Sequence, residues 1–424
     1  MKNQLIDNNL SNNLSNNFEK NWIIFIFPYK GVGGVGTLFI KLAEIISKKH
    51  NLNIGIVDYK DGFMSKNFET NEKLKLFEYS DKKKLNLPDN AYLVFQSMTP
   101  WSIFKNLKFK KNQNLFFWNL HPFNLLIFSP ILRKFFEKNL KLSSFISKTL
   151  FLFYRKKILN FIDILYRKNS IFFMDDCNYS ITKRFYNLNI NRQLLPIGTI
   201  IPKKNLFFIN KDKHDNEINV GWLGRAVGFK EPILLKILKD LNQCAFKKKI
   251  KINFTMISDK IDNLDLSSFT NINIEFKGSI KPKELSKISS LDLDIFFAMG
   301  LSAFEVASLG IPTVLLDFSY RKIPDSYRYK FIFESDIYSA GELITNESDF
   351  YGKTMLEVLE EVQRKENSLS NNTYKFTKDN HNIETIAEEF LIFLSKSSAK
   401  YSDFSEKNIL KGSMAYNISK IFKN

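Results

Sequence analysis

The sequence predicts an α/β protein built from two doubly wound domains. Short all-apolar runs recur along the chain, as buried parallel strands require. Stretches with helical spacing separate them, and that alternation builds a parallel sheet. The pattern occurs once before and once after residues 194–200, in a chain of 424 residues, too long for one ordinary core.

In the first half, residues 22–27, 53–58, 91–96 and 115–120 read as strands. Residues 37–49 read as a helix with Leu38, Leu42, Ile45 and Ile46 on one face. The polar, Asn-rich start has no apolar segment of a signal peptide, so residues 1–20 are expected to be a disordered tail. Residues 112–131 contain no Lys, Arg, Asp or Glu. They do contain Asn114, Asn119, His121, Asn124, Pro122 and Pro130, which favours a strand, a loop and a short helix over a membrane span. Residues 131–168 interleave Phe, Leu and Ile with many cations and only two acids, Glu137 and Asp163. Two readings fit: a segment on or near an anionic membrane surface, and a packed helix pair with a basic outer face. Residues 170–174 read as a strand.

The second half repeats the pattern. Strands are expected at 219–223, 251–257, 272–277, 294–297 and 313–316, and helices at 232–241, 281–289, 302–309 and 384–395. The expected domains are 21–200 and 201–395, with a C-terminal extension over 396–424.

Net charge is +18 with 44% apolar residues, so an anionic partner is expected. Cys177 and Cys244 form no CxxC and cannot hold structural zinc alone; a reducing compartment, the cytoplasm, is the simpler reading. The four histidines are scattered and give no metal cluster.

Gly31, Gly33 and Gly36 match G-x-G-x-x-G, and Asp58 ends the next strand, the dinucleotide fingerprint in outline. Pro28, Tyr29 and Lys30 separate the strand from the first glycine, which favours phosphate or substrate contact at Gly33 and Gly34 over NAD binding. A tight turn needing positive φ is the bland alternative. Arg225 and Lys230 follow the strand at 219–223 among Gly221, Gly224 and Gly228. A planar fork and a mobile point charge suit diphosphate oxygens. Glu305 sits early in the helix at 302–309 and could accept two hydrogen bonds from a ribose diol; a charge placed for the helix dipole is its alternative. His121 follows the strand at 115–120, at the edge where open α/β sheets place their sites. Asp292 and Asp294 form a D-x-D, but at the amino end of their strand, away from that edge.

From residue 194 to 316 the chain resembles glycosyltransferase family 4. The series runs through Leu195-Pro196, Gly198, Gly224-Arg225, Lys230, Phe276 to Gly278, Glu284-Leu285, Leu291 to Asp294, and Gly300 to Pro312 with Glu305 inside it. The resemblance implies the GT-B fold: two facing Rossmann-like doubly wound domains. It implies a retaining sugar transferase with no essential metal or other cofactor. Arg225 and Lys230 would bind the donor diphosphate and act in catalysis, and Glu305 would bind the donor ribose. Gly33, Gly34 and His121 give weaker upstream support, His121 as a further catalytic candidate. Family members usually carry another Glu eight residues before the helix carboxylate; this chain has Phe297 there, with Asp317 a polar substitute nearby.

The expected partners are a nucleotide-sugar donor, a polysaccharide or lipid-linked acceptor and an anionic membrane surface at the inner face of the cell membrane, with no nucleic acid. A non-catalytic sugar-nucleotide or polysaccharide binder is the runner-up, and an NAD-dependent oxidoreductase the third reading.

Overall fold

The computed structural model describes residues 18, 21–97, 106–126, 140–149, 152–204, 216–258, 264–278, 280, 282–345, 348–364 and 367–405. The chain divides into two compact units, Met1–Ile197 with Ile383–Asn424, and Gly198–Asn382.

The first unit opens with β1 (Trp22–Ile26), α1 (Gly34–His50), β2 (Asn53–Tyr59), α2 (Phe63–Asn67) and β3 (Leu74–Tyr79). It continues with β4 (Leu85–Asn86), β5 (Ala91–Gln96), β6 (Leu107–Lys108) and β7 (Asn114–Asn119). Then come α3 (Leu140–Thr149), α4 (Leu152–Arg167), β8 (Ile171–Phe173) and α5 (Asp176–Tyr186). The main sheet has the order β3-β2-β1-β5-β7-β8, and every pair in it is parallel. β4 and β6 pair separately. The central strands are buried on both faces, which explains their unbroken apolar runs. α5 was not expected from sequence; Asp175 caps it by accepting the Asn178 N–H at 2.7 Å.

The second unit holds β9 (Glu217–Leu223), α6 (Glu231–Lys248), β10 (Lys251–Ile257), β11 (Ile272–Lys277), β12 (Ile295–Ala298) and α7 (Leu301–Ala307). After these come β13 (Thr313–Leu315), β14 (Lys330–Phe331), α8 (Met355–Gln363) and α9 (Asn367–Asn380). Its sheet order is β11-β10-β9-β12-β13-β14, parallel except for the antiparallel edge strand β14. Counting only the strands of each main sheet, both orders read 3-2-1-4-5-6, the doubly wound Rossmann-like order. The expected helix at 281–289 is a 3-10 segment, Pro282–Ser290.

α10 (Ile383–Lys396) and α11 (Ser402–Ser405) return to the first unit. The sequence-based boundary gave residues up to 395 to the second domain; the structure places α10 in the first. Packing decides it: Phe390 stacks on Phe25 at 5.5 Å and on Trp118 at 6.1 Å, and Phe393 stacks on Phe172 at 4.4 Å. Glu388, buried, meets Lys49 at 2.7 Å and His50 at 3.1 Å on α1.

Most of the expected tail, like the expected short helix ending at residue 131, lies outside the described residues. Phe18 does not fit the tail reading. It is 0% exposed and meets the Tyr92 ring edge-on at 5.1 Å, so ordered packing starts before residue 21. Among the described residues, no helix is long and apolar enough to cross a membrane.

Candidate functional site

In a doubly wound sheet, ligands bind outside the carboxyl ends of the strands where the strand order reverses. In the second unit that point lies between β9 and β12, which pair with Phe297 opposite Trp222. The two loops leaving these strands therefore start side by side.

The β9 loop is shaped by two glycines. Gly224 has φ 147° and Gly228 φ 63°, both outside the comfortable range of other residues. The Trp222 indole N–H donates to the Gly224 carbonyl at 3.0 Å. A Cβ on Gly224 would stand 3.1 Å from the Lys230 Nζ, so the bare backbone makes room for that ammonium. Arg225 is exposed and Lys230 half-buried. Gly228–Lys230 forms a 3-10 turn that runs straight into α6. Phe229 anchors this turn, meeting Phe318 at 5.4 Å and Tyr320 at 5.8 Å, and its carbonyl accepts the Ser319 N–H at 3.4 Å. The cation loop is thereby tied to the segment after β13, across the end of β12.

On the β12 side, Gly300 turns the chain with φ 60° into α7. A Cβ added at Gly228 or at Gly300 would meet nothing within 4 Å, so both turns border open space. Glu305 is buried in α7, but no acidic residue lies in the helix's first turn. The dipole effect fades beyond that turn, so it does not account for this carboxylate.

Phe297 is a core residue. It is buried within β12 and meets Tyr329 edge-on at 6.0 Å, while the Tyr329 hydroxyl donates to Asp240 at 2.8 Å. Position 297 therefore lies inside the strand, and residues 298–304 carry no acid. The nearest other carboxylate in sequence beyond Glu305 is Asp317, just after β13. Its Oδ1 accepts the Glu342 N–H at 2.8 Å, and it lines a cavity of about 170 Å³ with Tyr327, Arg328, Lys330 and Glu342. Burial pushes its pKa up to about 6.

Asp292 and Asp294 brace the amino end of the sheet. Asp294 accepts the Asn219 N–H at 2.7 Å, and the Asn219 amide donates to the Asp292 carbonyl at 2.8 Å. Among the described residues, no three His, Cys, Asp or Glu side chains group as metal ligands.

The first unit has its own switch point, between β1 and β5. None of the glycines in residues 31–36 has a positive φ, so the tight-turn explanation does not hold there. Gly36 is required for packing, since a Cβ would fall 2.7 Å from Phe63; Gly31 sits under the Tyr29 ring. Gly33 caps α1 in extended conformation with no side-chain cap and no acid in the first turn; Gly34 is exposed.

Asp58 is not available to a ribose. It is fully buried and accepts four backbone N–H groups, from Tyr29, Tyr59, Met64 and Ser65, at 2.8–3.1 Å. Burial raises its pKa, opposed by those four bonds. The carboxylate of the apparent dinucleotide fingerprint thus staples α2 to β2, and the NAD reading loses its ribose ligand.

His121 lies just past β7, half-buried, with Nδ1 accepting the Phe123 N–H at 3.2 Å. Asn119 and Asn124, both noted in the sequence, are buried near it in the chain, as is Asn178, which the sequence reading missed and whose amide donates to the Asn119 carbonyl at 3.0 Å. Asn119 at a strand's carboxyl end was a usable signal; Asn178, inside an unforeseen helix, was not.

No family model and no curated protein matches this chain. Solved structures do. A glycosyltransferase from Rickettsia africae ESF-5 superposes with a TM-score of 0.51 at 11% identity, over 93% of this chain and 99% of that one. WaaG, a glycosyltransferase involved in lipopolysaccharide biosynthesis, gives 0.51 at 10%, over 88% and 99%. TarM gives 0.51 at 10%, over 89% and 99%. The fold is GT-B. At such identities the likeness establishes the architecture, two Rossmann-like domains, and side-chain roles must be argued from geometry.

Proposed function

We propose that this GT-B protein is a glycosyltransferase that moves a sugar from a nucleotide-sugar donor to a polysaccharide or lipid-linked acceptor. One observation supports this most: a glycine-shaped cation loop and a buried helix carboxylate leave adjacent strands at the switch point of the second domain. Arg225 and Lys230 are assigned to the donor diphosphate, and Glu305 to the ribose hydroxyls. A related fold binds such a group, since a TarM structure contains UDP.

The chemistry is electrostatic. As the bond from sugar to diphosphate breaks, negative charge grows on the leaving oxygen. Fixed cations there stabilise the transition state more than the ground state. The family resemblance supports retention at the sugar carbon and no metal, the two cations doing the work a metal would do.

The first domain is assigned the acceptor, with His121 and the backbone at Gly33 and Gly34 as contacts. Neutral amides such as Asn119 and Asn124 suit hydroxyl-rich groups, since an amide both donates and accepts.

A non-catalytic binder is favoured by one observation, the core placement of Phe297 and the acid-free stretch at 298–304. A panel of nucleotide sugars and NAD(P), read by thermal shift and then by transfer and hydrolysis, separates the readings. The expected result is stabilisation by a nucleotide sugar and slow turnover of it, with no shift from NAD(P). Stabilisation with no turnover across a broad acceptor panel selects the binder, and a shift by NAD(P) alone overturns both.

A further inference from the structure

The basic, apolar segment of the first domain contains two helices, α3 and α4, whose exposed surface is unusual. Phe153 is 91% exposed, Phe145 64%, Leu152 55% and Leu142 40%. All four lie on this helix pair, near the connection at residues 150–151, which falls outside the described residues. Isolated exposed apolar residues are ordinary, but four grouped on one helix pair are not.

Cations are interleaved with them at helical spacing. Phe145 and exposed Lys148 are three residues apart on α3; Phe153 and exposed Lys156 are three apart on α4. Residues so spaced share a helix face. Two further cations on α4 are engaged elsewhere. Arg167 pairs with Asp163 at 2.9 Å. Arg155 is buried and donates to the Phe185 and Tyr186 carbonyls at 3.1 and 2.9 Å, and to the Ser147 hydroxyl at 2.9 Å. Those carbonyls end α5, so the guanidinium caps that helix and favours its dipole. Ser144 adds a bond to the Phe185 carbonyl at 3.0 Å. The helix pair is thus pinned to the domain from one side and presents rings and ammonium groups on the other.

We propose that α3 and α4 dock the protein on an anionic lipid bilayer, with Phe145, Leu152 and Phe153 entering the interface and Lys148 and Lys156 meeting lipid phosphates. Aromatic rings settle at the boundary between headgroups and acyl chains, while long lysine side chains carry their charge back to the phosphates. The chain's net charge of +18 acts in the same direction. The docking face is narrower than the whole segment 131–168: buried Arg155 serves the fold, and Arg167 is paired with Asp163. Docking rests on this surface alone and holds whether or not the chain transfers a sugar.

Flotation of the full chain with vesicles tests it. Binding is expected to vesicles containing phosphatidylglycerol, to weaken in high salt, and to be poorer on pure phosphatidylcholine. Phe145→Ser with Phe153→Ser should lower partitioning by about tenfold or more, as burial of two aromatic rings is lost. Lys148→Glu with Lys156→Glu should abolish the preference for anionic lipid. Both double variants should melt with the wild type, because the changed side chains are exposed. Failure of the wild type to float overturns the proposal, as does equal flotation of the aromatic variant. Light scattering covers the other occupant: a wild-type dimer that the aromatic variant converts to monomer would make this face a self-association surface and overturn lipid docking.

Discussion

The two domains share one sheet order yet present opposite chemistry at their carboxyl edges. In the second, an exposed arginine and a half-buried lysine follow β9 and a buried helix glutamate follows the neighbouring β12, with glycines at positive φ in both connections. In the first, carboxylates at the sheet's carboxyl edge serve the fold: Asp58 is consumed by four backbone N–H groups and buried Asp175 caps α5, while Asn119, Asn124 and Asn178 near His121 are neutral amides. The frame is common; what the edge residues bond to within their own domain decides which ligand they can serve. A carboxylate saturated by backbone is structural. Exposed Arg225 and half-buried Lys230, in a loop shaped by glycines at positive φ, are placed where a ligand anion could reach them.

Breaking this contrast starts with Asp58. Asp58→Ala leaves four buried donors without their carboxylate and should cost about 3–5 kcal/mol of stability. Chemical denaturation measures it, and nucleotide affinity of the folded fraction should be unchanged. A stable variant with lost affinity would mean that Asp58 binds ligand after all.

Glu305→Gln is the counterpart in the second domain. Losing a charge-assisted hydrogen bond to ribose should weaken nucleotide-sugar binding by about 1.5–3 kcal/mol, with the melting temperature nearly kept. Unfolding, or unchanged binding, would place Glu305 beside Asp58 as a structural acid.

Asp317 sharpens the contrast through pH. Its folded pKa, about 6, lies above the ordinary aspartate value of 3.8, so the folded state holds the proton more tightly. The stability this gives is full below pH 3.8 and is lost as pH rises through 6. Asp317→Asn should therefore raise stability near pH 7.5 by about 2–3 kcal/mol and do little near pH 3.5. Equal effects at both pH values would show that burial does not perturb this acid.

Much of this arrangement was legible before any coordinates. Runs such as residues 22–26 and 115–118 are strands because parallel strands covered on both faces are apolar throughout. β3 escaped notice because it is an edge strand, with exposed Lys75 and Glu78 interrupting the run. α10 was legible as a helix but not as part of the first domain; its apolar face says that it is buried, not against what. The same gap affects the site. Spacing made Asp58 look like a ribose ligand, and only the approach of the Tyr29, Met64 and Ser65 N–H groups reveals its role. Phe297 stood in sequence where a carboxylate was expected, yet its strand register makes it core.

The central claim is that the second domain's cation loop binds a diphosphate. Calorimetric titration with a nucleoside diphosphate and with the matching nucleoside, on wild type and on Arg225→Ala with Lys230→Ala, tests it most directly. The account predicts that the double variant loses about 2–5 kcal/mol of diphosphate affinity while nucleoside affinity stays the same. Equal loss for both ligands, or no loss for either, would contradict it.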